Sequence, residues 1–276
     1  MGYAARFLRL ESDVSKSVCL VLLVLLPAIA SAQDQSGRTQ PLQELFFTEV
    51  VYPQSKHELQ LTLGSLVDRT REDKSALVPF SIEFGLTDRL QVEAAWHGYS
   101  HFHSSPLTHL TTARWTVGAK YSLMNIKHSP LHAAVGIEVE FPRSGAFSEG
   151  EGETDTEFEP FLALAADIGH DVTIFGSGGL SIEAGQVKEL LTSKQRPDDK
   201  GTVSFGALVR LRRITLVGEY TSRSDQTPWR LDGSPLVTPS IVVHPGGQWE
   251  LGFGLPIGVR MGTHKPGLAM HLVKEF

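Results

Sequence analysis

The sequence predicts an all-β fold, a single antiparallel transmembrane β-barrel of about 12 strands with short periplasmic turns and longer external loops. Apolar and polar residues alternate with a period of two from Glu58 to the end of the chain, which is typical of β-strands. Short turns and long loops follow one another between these strands, as they do in outer-membrane barrels. Residues 268–276 form a last strand with one apolar face and an aromatic final residue, Phe276.

Residues 1–32 have the features of a secretory signal peptide. A basic region precedes the apolar run 18–30, and Ala30-Ser31-Ala32 offers small residues for cleavage before Gln33. An uncleaved membrane anchor is the alternative interpretation. Because the run is shorter than the ~20 apolar residues that a spanning helix needs, we expect cleavage.

The composition of the chain excludes several functional classes. Cys19, the only cysteine, lies within the predicted signal peptide, so the predicted mature chain has no disulfide. The formal net charge of -6 argues against nucleic acid as a partner. No apolar run after residue 32 approaches a membrane-spanning helix, so a mature chain in a membrane must form a closed barrel.

Residues 33–55 form a lead-in segment before the barrel. It is polar at first and then contains Leu45, Phe46 and Phe47. A periplasmic tail, a short helix and a partial plug of the barrel all remain open for this segment.

The predicted barrel, residues 56–276, begins with Leu59, Leu61 and Leu63 in alternation with polar neighbours. The same alternation predicts four more strands before the acidic loop 143–155, and these are 78–84, 90–96, 113–123 and 131–141. Beyond that loop it predicts strands at 158–168, 172–182, 203–209, 214–220, 249–255, 259–262 and 268–276. Tight turns are expected at 85–89, 125–130, 169–171, 212–213 and 255–258, and the longest loop at 222–245.

The two faces of these strands differ in composition. The outward set is aliphatic and aromatic, with Trp96, Trp115, Tyr121 and Trp249 placed where interfacial girdles could lie. An arginine should therefore be tolerated less well at Val135 or Leu164 than at the inward Ala134 or Ala163. The inward set is charged, and its lumen-facing candidates are Glu83, Glu93, Arg114, Lys120, Glu138, Glu140, Glu159, Asp167, Glu183, Arg210, Glu219 and Glu250, with Glu58, Glu157 and Glu275 sharing their parity.

The excess of inward carboxylates favours a membrane barrel with a wet lumen. A soluble barrel would bury these groups at a cost of several kcal/mol each, whereas a water-filled interior removes that cost. Rings of acidic residues favour cations in pores. We therefore expect an open pore to prefer cations.

The last strand looks like the assembly signal of outer-membrane barrels. Leu268, Met270, Leu272 and Phe276 share one face, and Phe276 is the last residue. Lys274 stands where such strands usually carry an aromatic residue, although a lysine can extend its ammonium to the interface.

Three groups of segments carry a resemblance to a known family. They are Glu83-Phe84-Gly85-Leu86-Thr87-Asp88-Arg89-Leu90, Gly118-Ala119-Lys120-Tyr121, and the ending with Leu255-Pro256-Ile257-Gly258, Pro266-Gly267-Leu268-Ala269-Met270-His271-Leu272 and Glu275-Phe276. With these segments the chain resembles the outer-membrane barrel family labelled "MetA-pathway of phenol degradation". The resemblance implies a twelve-strand barrel and uptake of small compounds, aromatic ones among them. It implies no particular binding residues.

Other candidate sites are weaker. His97, His101, His103 and His109 cluster around one loop and could bind Zn²⁺ or Cu²⁺, but incidental histidines in a polar loop are the preferred interpretation. Nearby Ser100, Ser104 and Ser105 show no spacing that requires a Ser-His hydrolase. The acidic run Glu149, Glu151, Glu153 and Asp155 lacks the turn glycine and the closing glutamate of a Ca²⁺ loop. We predict no catalytic residue, no metal and no cofactor.

The predicted function is an outer-membrane channel or transporter for small solutes. Its expected partners are the solute, outer-membrane lipid and the barrel-assembly machinery, with no nucleic acid. The alternatives are a barrel enzyme that acts on lipid and a closed structural barrel.

Overall fold

The computed structural model describes residues 42–69, 74–102, 111–142, 156–183, 200–224, 235–246, 248–259 and 265–276. These ranges are almost entirely β-structure, with one 3-10 turn at Ile126–His128. No helix among them is long and apolar enough to cross a membrane. The strands are β1 (Leu59–Arg69), β2 (Lys74–Gly85), β3 (Leu90–Phe102), β4 (Thr111–Leu123), β5 (Leu131–Pro142), β6 (Glu157–Ile168), β7 (Val172–Glu183), β8 (Lys200–Leu211), β9 (Ile214–Ser224), β10 (Leu236–Gly246), β11 (Trp249–Gly254), β12 (Ile257–Gly258) and β13 (Lys265–Glu275).

The sheet closes on itself as an antiparallel barrel. Each strand from β1 to β10 pairs with its neighbour in the chain, β11 pairs with β10 and β13, and β13 pairs with β1 in a register that sets Leu63 opposite Leu272. The short β12 pairs with β10 beyond a break at Leu255 and Pro256, so β11 and β12 act as one strand of the barrel. The closed barrel therefore has 12 strands. The predicted fold class is confirmed.

Two predicted boundaries are wrong. The first error omits a strand from the predicted count and the second divides one strand into two, so the total of 12 is unchanged. The supposed longest loop, 222–245, contains most of β10, and the supposed turn 255–258 is the interrupted continuation of β11. Pro239 and Pro245 suggest a loop because proline cannot donate to a strand ladder. The carbonyl of Pro239 nevertheless accepts a hydrogen bond from the Leu255 N–H at 3.0 Å, so this part of β10 stays within the sheet.

The short connections lie at one end of the barrel. They join β2 to β3, β4 to β5, β6 to β7, β8 to β9 and β10 to β11, and Phe276 ends the chain on the same side. Backbone with positive φ makes several of these reversals, at Gly169 (68°), Arg212 (55°) and Gln248 (64°). In outer-membrane barrels this end faces the periplasm. The predicted signal peptide, residues 1–32, lies outside the described residues.

The outer surface of the barrel is an apolar belt. Trp115, Leu164 and Phe205 have more than half of their surface exposed, and alternate residues on every long strand follow the same pattern. Water would leave this area unfavourably solvated, whereas lipid does not, and every backbone group in a closed sheet has a partner. The chain is an outer-membrane β-barrel, as the sequence predicted.

Candidate functional site: the barrel lumen and the segment inside it

The described part of the lead-in segment runs through the barrel interior. Residues 42–56, called the lumen segment below, belong to the same compact unit as the strands. Their apolar side chains are buried against inward alanines and other wall residues, and they are Leu42, Leu45, Val50, Val51 and Tyr52. Of the three interpretations that the sequence left open, the described part of the segment matches the partial plug.

Two wall carboxylates hold the first part of the lumen segment. Glu250 accepts the backbone N–H groups of Gln43 at 3.0 Å and Glu44 at 3.2 Å. Glu219 accepts those of Phe46 at 3.1 Å and Phe47 at 3.0 Å. Each carboxylate thus bridges two consecutive amides, which is a charge-assisted arrangement.

The histidines around Glu250 complete this part of the site. His271 Nε2 lies 3.3 Å from Glu250 Oε1, and His244 Nδ1 lies 3.7 Å from Oε2. The ring of Phe46 stacks on His271 with centroids 4.8 Å apart. Gly252 leaves room for this arrangement, because a Cβ there would overlap the His271 ring. The segment is therefore held by side-chain packing as well as by amide contacts.

Donors on the wall reach the carbonyl groups of the lumen segment. Lys120 Nζ donates to the Val50 carbonyl at 2.9 Å, and Ser122 Oγ donates to the Val51 carbonyl at 2.7 Å. Ser204 Oγ donates to the Phe47 carbonyl at 3.1 Å. Extended chain that runs inside a barrel has no strand beside it, so wall side chains must satisfy its backbone.

Tyr52 ends in a polar network at the periplasmic end of the lumen. Asp167 accepts hydrogen bonds from the Tyr52 hydroxyl at 3.2 Å and from Thr173 Oγ1 at 2.7 Å, and His132 Nε2 lies 3.1 Å away. The other ring nitrogen of His132 accepts the Asn125 N–H at 3.1 Å. Both ring nitrogens therefore have partners, and the His132–Asp167 pair helps to hold Tyr52 in place.

The segment leaves the lumen beside the β2–β3 turn. The Gln54 N–H donates to Gln91 Oε1 at 2.9 Å, and the Lys56 N–H donates to Asp88 Oδ1 at 3.1 Å. A Cβ at Gly85 would overlap the carbonyl oxygen of Ser55, so only glycine allows this close passage. The turn motif in the family resemblance therefore has a physical role here, because it receives the end of the lumen segment.

These contacts add to the water that we expected to compensate the inward carboxylates. Glu219 is 2% and Glu250 is 1% exposed, and both accept hydrogen bonds from the segment. Glu83 accepts hydrogen bonds from Gln60 and Gln91, which both contact Gln54. Much of the inward negative charge meets donors supplied by the chain itself.

The segment leaves a cavity of about 150 Å³ in the lumen. Its wall combines acidic, basic, hydroxyl and aromatic groups, including Arg114, Glu138, Glu140, Glu159, Phe47 and Phe161. Arg114 pairs with Glu140 at 3.1 Å. Glu138 and Glu159 stand directly opposite each other on β5 and β6.

The remaining lumen-facing candidates lie nearer the ends of the barrel or beside the segment. Glu93 lines a small gap next to Glu49 and Lys120. Glu183 stands opposite Glu157 at the outer end of β7, and Arg210 donates to the His170 carbonyl at 2.6 Å in the periplasmic turn. Five candidates therefore lie away from the free cavity and against the segment, namely Glu83, Lys120, Asp167, Glu219 and Glu250.

Sequence reasoning missed the neutral residues that bind the segment. Gln60, Gln91, Ser122, Ser204 and His132 are all buried and inward. Their parity could have identified them, because each shares a strand face with a predicted charged residue. The alternation marks them as inward, but it does not reveal that a second piece of chain lies within reach.

The candidate sites in the external loops fall mostly outside the described residues. His97 lies in β3 with its Nε2 3.3 Å from Thr116 Oγ1. His103, His109, Ser104 and Ser105 and the acidic run 149–155 lie beyond the described ranges, as do the side chains of Ser100 and His101. In the part of the chain that is described, no group of three His, Cys, Asp or Glu residues could hold a metal ion.

Comparison with solved structures finds the same fold in outer-membrane channels. An outer membrane channel from Pseudomonas putida F1 matches 82% of this chain and 98% of its own, with a TM-score of 0.55 and 11% identity. The NanC porin matches 77% and 97%, with a TM-score of 0.53 and 10% identity. The KdgM porin matches 78% and 99%, with a TM-score of 0.51 and 10% identity. No protein-family model and no curated protein matches the sequence.

Proposed function

We propose that this protein is an outer-membrane channel that passes small solutes. The main observation behind this proposal is the polar cavity beside the lumen segment. This cavity gives a closed barrel an interior that a solute could occupy. Its volume, about 150 Å³, is that of a protein cavity known to take a molecule of the size of benzene. The channel fold of the structural neighbours supports the proposal.

The composition of the cavity wall supports a preference among solutes. Glu138, Glu140 and Glu159 outnumber the cations Arg114 and Arg223, which favours positively charged solutes. Phe47 and Phe161 add aromatic surface. We also propose that the chain belongs to the "MetA-pathway of phenol degradation" family, whose implied aromatic cargo would suit these rings.

The proposed partners follow from the architecture. Outer-membrane lipid would cover the apolar belt, and the barrel-assembly machinery would recognise β13 with its final Phe276. The solute would enter the lumen from the side of the long loops.

Conductance of the purified protein in planar bilayers tests the proposal. We expect ion conductance that small aromatic amines reduce when they enter the cavity, with a reversal potential that indicates cation preference. A folded, heat-modifiable protein that never conducts would refute the proposal.

A closed structural barrel is the second candidate, because a specific observation favours it. The lumen segment lies in the barrel interior, and five of its apolar side chains are buried there, namely Leu42, Leu45, Val50, Val51 and Tyr52. Absence of conductance both in the intact chain and in a chain without residues 42–56 would favour this candidate over the channel.

A further inference from the structure

We propose that Glu219 and Glu250 are the anchors that keep the lumen segment inside the barrel and thereby set how far the pore is open. The claim that the segment sets the opening of the pore rests on the proposed channel function. The claim that the two carboxylates hold the segment does not. The anchor carboxylates are positioning residues, since they act on the solute path through the segment.

The hydrogen bonds between backbone amides and wall carboxylates are concentrated at one end of the segment. Four backbone amides between Gln43 and Phe47 point at only two side chains. A carboxylate presents only acceptors, so its two oxygens match two consecutive N–H groups. The carbonyl contacts with Lys120 and Ser122, by comparison, use one donor for each acceptor.

Because Glu219 is buried, the carboxylate and the amides of the segment each depend on the other for a hydrogen-bond partner. With the segment in place, Glu219 forms no ion pair with a Lys, Arg or His within the described ranges, so the amides of Phe46 and Phe47 are its main compensation. If the carboxylate were removed, those two amides would lose their acceptor in a partly buried site. Unsatisfied buried groups cost more than the contact itself gains, so each partner strongly favours the bound arrangement.

Release of the segment would change the wall as well as the free space. Withdrawal of residues 42–47 would uncover the carboxylates of Glu219 and Glu250 without their amide partners. The lumen would then be wider and would present two more acidic groups. Glu219 and Glu250, which hold the segment when it is bound, would therefore line the lumen when the segment is released.

Thiol labelling tests the anchors without any need for conductance. Cys19 is the only native cysteine, so replacing it with alanine gives a chain in which Val50→Cys is a single probe. Val50 is 8% exposed in the lumen segment, and its carbonyl contact with Lys120 does not involve its side chain. A membrane-impermeant maleimide should label this cysteine slowly in the folded barrel.

The decisive variant is Glu219→Ala with Glu250→Ala in that background. We expect labelling at least about tenfold faster, which corresponds to about 1.4 kcal/mol. Glu157→Ala is the matched control, since Glu157 is also a buried inward carboxylate but accepts a hydrogen bond from Ser181 on the wall. Unchanged labelling in a folded double variant, or equal acceleration by the control, would overturn the proposal.

The isosteric pair Glu219→Gln and Glu250→Gln guards against a failure of the alanine variant to fold. A glutamine keeps one acceptor oxygen and replaces the other with a donor, so we expect faster labelling than in the parent chain by a smaller factor than with alanine. Labelling as slow as in the parent would count against the anchors.

Conductance then separates the two proposals. Faster labelling together with larger conductance supports both. Faster labelling with no conductance in any variant supports the anchors and refutes the channel. Conductance that is present but unaltered in the double variant, with unaltered labelling, refutes the anchors and leaves the channel standing.

Discussion

Individual carboxylates inside this barrel differ in what compensates their charge. Glu219 and Glu250 accept backbone amides, Asp167 accepts a tyrosine and a threonine hydroxyl, and Glu140 pairs with Arg114. Glu138 and Glu159 face the free cavity. A count of inward charges therefore overstates the field that an open pore would have, because only some of these groups would be available to a passing ion.

Glu138 is the single residue on which the pore field should depend most clearly. Glu138→Gln should reduce the cation preference, because this carboxylate lines the cavity and stands opposite another one, Glu159. Reversal potentials under a salt gradient measure the change, which should be larger at low salt, where screening is weaker. Glu157→Gln serves as a comparison outside the cavity wall. An equal shift in both variants, or none, would mean that Glu138 lies off the conduction path.

Outward residues depend on lipid, and Val117 is the clearest example. It lies at the middle of β4 and is 45% exposed. Val117→Arg should destabilise the barrel by about 2–4 kcal/mol, as arginine does on the lipid face near the bilayer midplane. Reversible unfolding in lipid vesicles provides the measurement, with Val117→Leu as a control that should remain near the parent stability. A similar loss from both substitutions would indicate a packing effect.

The inward alanines show why parity alone does not predict tolerance. Ala134 and Ala163 are 1% and 0% exposed, and they belong to the buried cluster that includes Leu45 and Val50. The sequence led us to expect that arginine would be tolerated there better than on the lipid face. The structure changes that expectation, because an arginine at either site would collide with the lumen segment.

Among the elements, the β2–β3 turn connects the barrel to the lumen segment. The backbone of His57 donates to the Gly85 carbonyl at 2.8 Å, and Gly85 donates to the Glu58 carbonyl at 3.0 Å. This turn therefore sets where the segment leaves the lumen and where β1 begins.

Gly85→Ala should displace the end of the segment. The added Cβ would overlap the backbone of Ser55. A flexible side chain could relieve such an overlap by changing its rotamer, but a backbone cannot. We expect faster maleimide labelling of Val50→Cys and lower stability of the barrel. Gly169→Ala is a useful comparison, since its Cβ would meet nothing within 4 Å and it lies in another periplasmic turn, although its φ of 68° adds strain of its own. Faster labelling in the Gly169 variant alone would contradict the assignment.

The terminal strand β13 closes the barrel against β1. Phe276 donates to the Leu59 carbonyl at 2.8 Å and accepts the Leu59 N–H at 3.3 Å. The ammonium of Lys274 lies 5.4 Å from the ring centre of Trp249 and 5.1 Å from that of Phe276. The lysine that departs from the usual ending thus lies between two aromatic rings at the periplasmic rim.

Deletion of Phe276 should lower the amount of barrel in the outer membrane and leave export intact. The deletion removes the closing backbone contacts and the final ring but does not touch residues 1–32. Heat-modifiable protein in the outer-membrane fraction, compared with total exported protein, gives the measurement. Lys274→Arg should keep normal levels, because a guanidinium can occupy the same place over the rings. Unchanged heat-modifiable protein after the deletion would contradict the predicted assembly signal.

At the scale of the whole molecule, the barrel and the lumen segment form one compact unit. Side chains can fill a barrel of about 8 strands, whereas barrels of about 16–18 strands enclose an aqueous channel, and this barrel lies between these sizes. In our proposal, release of the segment would give this barrel a closed and an open state with the same wall. The inward carboxylates would suit both states, as acceptors for amides when the segment is bound and as pore groups when it is released.

The sequence by itself determined the β-barrel class, the facing of nearly every strand and the end that carries the short turns, because period-two alternation and turn chemistry are local properties of the chain. It mistook β10 for a loop, because Pro239 and Pro245 oppose a strand locally while pairing with β9 and β11 supports one. Only the tertiary structure decided where residues 42–56 lie. Their position depends on contacts with residues far along the chain, such as Gln43 with Glu250 and Phe47 with Glu219. No local pattern records those contacts, because a carboxylate on an inward face looks the same whether water or a backbone amide will meet it.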